Sequence, residues 1–385
     1  AVVTAGGRLF SIVDRAPPAS VAFPSRWYMV ARDAFSGVEL WKTRIKPWTP
    51  RFRGFRSGPP HLARRLVATA DRVFVTPGYG RPVAAFAAGS GRKLRTYPRT
   101  EGAEEILYAD GVLYCVIGNC KAYMQARRAR RRGSDADVGK SIVAVRARDG
   151  EVLWELSADE AGYVMPTTLA VSGGRVFYEN TRRVVCLDAR SGRRLWRSPR
   201  PITRSRPSWL APTLVVKHGV VLSADRAASN MQGAGPLEEG EELKWKLRSR
   251  EPYRVDRVTP GTLYAFSADT GEKMWTSPAV EGFNSPADVL VARGLVWTGS
   301  LVRASDPGIT KGRDILSGEV AFSRKPDGEY INIGMGHHRC YRNKATSEYL
   351  VMGRSGVEMI DMDSGRATAD HWIRGACQYG TVPAN

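Results

Sequence analysis

His337, His338 and Cys340 fall within one four-residue stretch, and His371 and Cys377 follow 31 to 40 positions later. Imidazole and thiolate together make a competent ligand set for zinc or copper. His-His-x-Cys is not a zinc-finger spacing, so other readings of the same residues stand beside the metal site. One is a Cys340–Cys377 disulfide pinning two loops, which fits an oxidising compartment. The other is buried thiols and polar histidines that only pack the loops together. Cys115 and Cys120 flank Val-Ile-Gly-Asn and are read either as a local disulfide across a turn or as one core and one loop thiol.

The elements that position these residues come from a repeat. Ala31-x-Asp33-x-x-x-Gly37-x-x-x-Trp41 returns intact as Cys186-x-Asp188-x-x-x-Gly192-x-x-x-Trp196. Ala265…Gly271…Trp275 and Ala144…Gly150…Trp154 keep the ends but carry Ser267 and Arg146 in place of the Asp. Gly312-x-Asp314…Gly318 and Met359-x-Asp361…Gly365 lose the Trp, and Ala85…Gly91 is the weakest copy. The seven glycines are spaced by 54, 59, 42, 79, 47 and 47 residues, the range of one four-stranded propeller blade per copy. Alternating apolar residues precede each Gly, which supplies the positive-φ position of a hairpin turn. The strand after it delivers Trp into the wedge between blades. Gly37, Trp41, Gly150, Trp154, Gly192, Trp196, Gly271 and Trp275 are therefore structural. The expected fold is all-β: a propeller of four-stranded antiparallel blades, seven visible plus the start of an eighth, eight-bladed when complete.

Residues 1–385 read as a single propeller domain, with a long polar insertion at 225–260 inside the fifth blade. The opening Ala1–Phe10 reads as a second strand and Thr381–Asn385 as the beginning of a new blade, so the chain is expected to be a fragment lacking part of the first and most of the last blade. In a four-stranded blade the first-to-second and third-to-fourth turns share one face, and the other connections share the opposite one. All the long insertions fall on that second face, where repeat proteins collect their binding surfaces. It carries the loop with Trp48, Phe52 and Phe55, the Arg127, Arg128 and Arg130 cluster, the 225–260 insertion, and the segments bearing the His/Cys group.

The chain has 58 basic and 38 acidic residues, a net charge of +20, and 46 of the basic residues are Arg. That field favours an acidic protein or polymer partner. Too few aromatics neighbour the Arg cluster for a nucleic-acid platform. No apolar run is long enough to span a bilayer. Five scattered cysteines do not describe a disulfide scaffold.

The Ala-x-Asp-x-x-x-Gly-x-x-x-Trp pattern resembles the PQQ-like repeats of the quinoprotein alcohol dehydrogenase-like β-propellers, over essentially the whole chain. The segments from Gly336 to Thr346 and from Trp372 to Gly380 resemble the ending of a bacterial branch of these proteins. The resemblance implies an exported, periplasmic location and one of two functions. The first is a binding or assembly scaffold, as in the outer-membrane assembly lipoprotein. The second is an oxidoreductase with its centre at the channel mouth, using PQQ with calcium, or a zinc or copper ion. Quinoprotein dehydrogenases set two adjacent cysteines beside the quinone, and no Cys-Cys pair exists in this sequence. No residue is assigned a catalytic or quinone-binding role.

Overall fold

The computed structural model describes residues 1–17, 19, 23–48, 63–121, 134–136, 139–202, 205–207, 211–225, 244–246, 261–279, 286–300, 308–324, 342–353, 356–370, 372–373, 375 and 380–381. Seven four-stranded antiparallel sheets follow one another along the chain, each a simple meander. We number them blades one to seven: 2–44, 66–96, 103–156, 170–199, 213–279, 290–323 and 344–370. The molecule is a β-propeller. First strands of successive blades lie against one another from blades one to five and again from six to seven, so they face the axis and the fourth strands lie outside. Blade one has all four strands, because Val2–Ala5 pairs with Arg8–Asp14. Ala1–Phe10 is therefore not one second strand, as expected from the sequence, but a first strand, the Gly6-Gly7 turn and the start of the second strand.

The repeat explains each blade's outer half. Asp33 Oδ1 accepts the N–H groups of Phe35 (3.1 Å) and Ser36 (2.7 Å), closing the turn before Gly37. Those bonds, Ser36 first, hold its carboxyl below the usual range. Asp188, Asp314 and Asp361 do the same in their blades. Across the hairpin the small residue faces the ring: Ala31 pairs with Trp41, Ala144 with Trp154, Cys186 with Trp196 and Ala265 with Trp275. A one-residue bulge follows every one of these pairs and re-aims the fourth strand.

Each Trp then locks onto the next blade. Trp41, Trp154, Trp196 and Trp275 donate Nε1–H to the carbonyls of Ala88, Ala189, Ala268 and Ile315, at 2.8 to 3.0 Å. Their rings lie against Gly91, Gly192, Gly271 and Gly318, where any Cβ would intrude. The seam between blades two and three lacks a Trp, and there Tyr97 Oη donates to the equivalent carbonyl of Ala147 at 2.7 Å. Apolar clusters join residues of neighbouring blades, such as Phe10, Met29 and Phe86, so the core is distributed among the seams.

One helical turn, Ala158–Ala161, sits between blades three and four, with a capping box made by Ser157 and Glu160. The Ser157-x-x-Glu160 spacing signals it in the sequence.

Candidate functional site

Connections from second to third strands and from one blade to the next emerge on the same face, and that face carries an additional sheet. Ser134–Ala136 leaves blade three, Ser205–Pro207 lies between blades four and five, and Lys244–Lys246 belongs to the insertion of blade five. Lys244–Lys246 is the central strand, antiparallel to Ser134–Ala136 with Trp245 opposite Asp135, and parallel to Ser205–Pro207 with Trp245 opposite Arg206. Segments 39 and about 110 residues apart thus satisfy one another's backbone donors and acceptors.

Buried charges root these insertions in the body. Lys140, shortly after Ser134–Ala136, places Nζ 2.9 Å from Glu104 Oε2, with side chains 1% and 4% exposed. Its ammonium also lies 5.1 Å from the Tyr163 ring centroid. Arg200, shortly before Ser205–Pro207, donates Nε–H to Ser223 Oγ (2.9 Å) and Nη2–H to the Thr262 carbonyl (3.1 Å). Ser223 in turn donates to Glu179 Oε2 at 2.8 Å, and the Arg200 guanidinium stacks over Tyr264 at 4.5 Å.

Residues at or just before the first strands crowd the axis on this face. Arg342, ahead of blade seven, donates to Thr213 Oγ1 (2.9 Å), Thr167 Oγ1 (3.1 Å) and the Pro212 carbonyl (2.9 Å) of blades four and five. Arg64, ahead of blade two, reaches the Leu169 carbonyl of blade four at 2.6 Å and lies 3.6 Å from Glu105 of blade three. Arg342 touches Thr167 directly and Arg64 reaches it through Glu105; the Thr167 φ of 64° is strained for a β-branched residue. Its N–H donates to Glu105 Oε1 at 2.6 Å, which holds the strained turn in place. Burial pushes the Glu105 carboxyl up, against Arg64 and that N–H. Burial also lowers Lys344, with Arg342 adding to the effect.

Asp288, ahead of blade six, accepts Asn343 N–H (2.9 Å) and Nδ2–H (2.6 Å), while Asn343 Oδ1 accepts Gly353 N–H (2.9 Å). Burial pushes its carboxyl up to about 6, against the Asn343 bonds and the charges of Arg342 and Lys344. A folded-state value above the unfolded one means that the stabilisation is complete below the unfolded value. It is lost as pH rises through about 6. Unfolding free energies of wild type and Asp288→Asn, measured in urea from pH 4 to 7.5, should therefore change their difference by about 2 to 3 kcal/mol, with the wild type losing ground. A constant difference would refute the assignment.

The structure places the expected site residues as follows. His337, His338, Cys340, His371, Cys377, Phe52, Phe55, Arg127, Arg128 and Arg130 lie outside the described residues. Among the described residues no group of three or more His, Cys, Asp and Glu is arranged to hold a metal. Trp48, expected on the binding face, is instead 1% exposed. It donates Nε1–H to the Thr76 carbonyl at 3.2 Å beneath the guanidinium of buried Arg65, 5.0 Å from its ring. A Pro/Arg-rich context hid the fact that this ring fills the seam between blades one and two. Cys115 and Cys120 form no disulfide, and Cys186 is core in the small-residue position. Burial pushes the thiols of Cys115 and Cys186 up to about 12. The residues missed in the sequence are Arg64, Glu105, Thr167, Asp288 and Arg342. Their one shared signal is a polar side chain at or just ahead of a short apolar first strand.

Meandering blades, Trp locks and an insertion-bearing face define a PQQ-like repeat β-propeller. A family model described as outer membrane protein assembly factor BamB matches residues 28–257, more than half of the chain, and the chain belongs to that family. No curated protein matches. Similar solved structures include BamB from Moraxella catarrhalis, at 10% identity over 98% of this chain and 86% of that one, TM-score 0.49. A europium-containing methanol dehydrogenase matches at 13% identity over 91% of this chain and 72% of that one, TM-score 0.50. Quinohemoprotein alcohol dehydrogenase ADHIIG from Pseudomonas putida HK5 matches at 14% identity over 92% and 62%, TM-score 0.48. The methanol dehydrogenase likeness shows the fold alone.

The quinone implied by that fold family does not fit the described mouth residues. Arg342 and Arg64 bridge between blades across the axis, where a channel-bound ring system would lie, and their hydrogen bonds to Thr167, Thr213, Pro212 and Leu169 hold them there.

Proposed function

We propose that this propeller is an exported bacterial binding or assembly scaffold whose partner, an acidic protein or polymer, docks on the insertion-bearing face. The observation that carries this reading is the three-stranded sheet built from Ser134–Ala136, Lys244–Lys246 and Ser205–Pro207, which joins insertions of separate blades on one face. Buried ion pairs at Lys140 and Arg200 hold two of these insertions at their bases, so the face is pre-organised and little ordering entropy opposes binding. The net charge of +20 sets the sign of the partner. Membership of a family described by an outer-membrane assembly factor supports the scaffold role and the exported location. No helix among the described residues is long and apolar enough to cross a membrane.

A photo-crosslinking residue placed at Arg206 or Trp245 in the source organism is expected to trap a defined acidic partner in the exported fraction. The same residue at Ser191, in a short turn on the opposite face, should not, and raising salt should reduce the yield. Equal capture from both faces, or an adduct confined to the cytoplasm, would overturn the proposal.

A further inference from the structure

On the opposite face, between blades two and three, lies a cleft of about 470 Å³. That size lies within the ordinary range of ligand pockets. Three departures from the repeat converge on its seam. First, blade two carries Arg95 where four other blades carry the locking Trp, so no indole fills the wedge; Arg95 donates to the Asp149 carbonyl at 2.6 Å and Tyr97 to the Ala147 carbonyl. Second, blade three carries Arg146 at the position that is Asp33, Asp188, Asp314 or Asp361 in four other blades. Third, Tyr108 occupies a first-strand position that is Thr4, Ala68, Val171, Val216, Val291 or Ala345 in the remaining six.

None of these changes is needed to build a blade. Tyr108 is 38% exposed and stacks on buried Phe74 with centroids 5.4 Å apart and an interplanar angle of 17°. It is thereby held as a rigid platform. Arg72, Arg146 and Arg148 line the same cleft, with Asp71 and Asp110. Arg72 is oriented by the Ala147 carbonyl at 3.2 Å. The carboxylates that pair with Arg146 and Arg148, Asp149 and Glu151, have side chains 42% and 56% exposed, so an incoming anion can exchange with them at little cost.

We infer that this cleft is a binding site for a ring that carries a carboxylate, stacked on Tyr108 and gripped by Arg72, Arg146 and Arg148. Such a ring can be a uronic-acid sugar, whose C–H face packs on an aromatic, or an aromatic carboxylate. The cleft is independent of the face proposed for partner docking.

Isothermal titration of the whole chain with a glucuronate-containing disaccharide, with 4-hydroxybenzoate and with neutral maltose tests this. At least one anionic probe should bind with a Kd of about 1 mM or tighter, and maltose should not. The variants Tyr108→Val and Arg146→Asp place residues that other blades carry at these positions, so both should fold, with melting temperatures lowered by a few degrees at most through the lost Phe74 stack and the exposed ion pairs of Arg146. Each should weaken binding by about 10-fold to 100-fold. Arg148→Gln, at an arginine whose side chain is 76% exposed, should also weaken it and cannot act through the fold. Binding by the saccharide alone or the benzoate alone supports the site and tells which ring it takes. Maltose binding equally, no anionic probe binding, or affinity unchanged in all three variants would each overturn it.

Discussion

Lys140→Met is expected to destabilise the protein by about 3 to 5 kcal/mol at pH 7. The ammonium and the Glu104 carboxylate are 2.9 Å apart with almost no solvent contact. Removing the cation leaves a carboxylate that must stay charged in a low-dielectric site or take up a proton above its ordinary range. The sign with pH follows. Without Lys140 the folded-state pKa of Glu104 rises above the unfolded value, so the single variant should recover stability as pH falls from 7 towards 4.5. The double variant Lys140→Met/Glu104→Gln removes both charges and should regain most of the loss. Guanidinium unfolding of the four species reads the coupling directly. A single-variant loss below about 1 kcal/mol would show that the pair is not the anchor assigned to it. Because Lys140 follows Ser134–Ala136 closely, the same variant should loosen the insertion sheet and lower crosslinking at Trp245.

Trp154 and Gly192 form the second test, since the repeat stands on this contact. Trp154 is 8% exposed, donates to the Ala189 carbonyl at 2.9 Å, and lies on Gly192 of the next blade. Trp154→Ala should cost about 3 to 5 kcal/mol through the cavity and the lost hydrogen bond. Gly192→Ala meets two obstacles. Its φ is 70°, and a Cβ there would sit 2.6 Å from Trp154 Cδ2. Left-handed backbone costs an alanine about 1 kcal/mol, and the steric clash about 1 to 3 kcal/mol more. Gly174 separates these contributions: its φ is 71°, and nothing lies within 4 Å of a Cβ there. Gly174→Ala should cost only the backbone part. In the double variant Trp154→Ala/Gly192→Ala the clash is gone, so the two losses should fall short of additivity by about 1 to 3 kcal/mol. Strict additivity in thermal and chemical unfolding would mean that the ring does not rest on the glycine.

The sequence by itself determined the blade and the way blades lock. Asp33, Gly37 and Trp41 act within eleven residues: the carboxylate caps its own turn, the glycine takes positive φ, and the Trp stands across the hairpin from Ala31. Local hydrogen bonds and cross-strand pairs read out as residue spacing, so the all-β propeller and its insertion-bearing face were legible. The departures at Arg95 and Arg146 were legible too, as broken copies of the repeat. The meeting of Arg146 with Tyr108 at one cleft was not, because seams between blades bring together residues that no spacing relates.

Only the tertiary structure decided the rest. Arg342 meets Thr167 across 175 positions and Arg64 meets Leu169 across 105, contacts set by how inner strands converge on the axis. The inward turn of Trp48 depended on Arg65 and Thr76. The joining of Lys244–Lys246 to strands from two other insertions depended on the face they share. A repeat encodes its own hairpins through neighbours in sequence, whereas its axis and its faces are made by distant residues that only the assembled propeller makes neighbours.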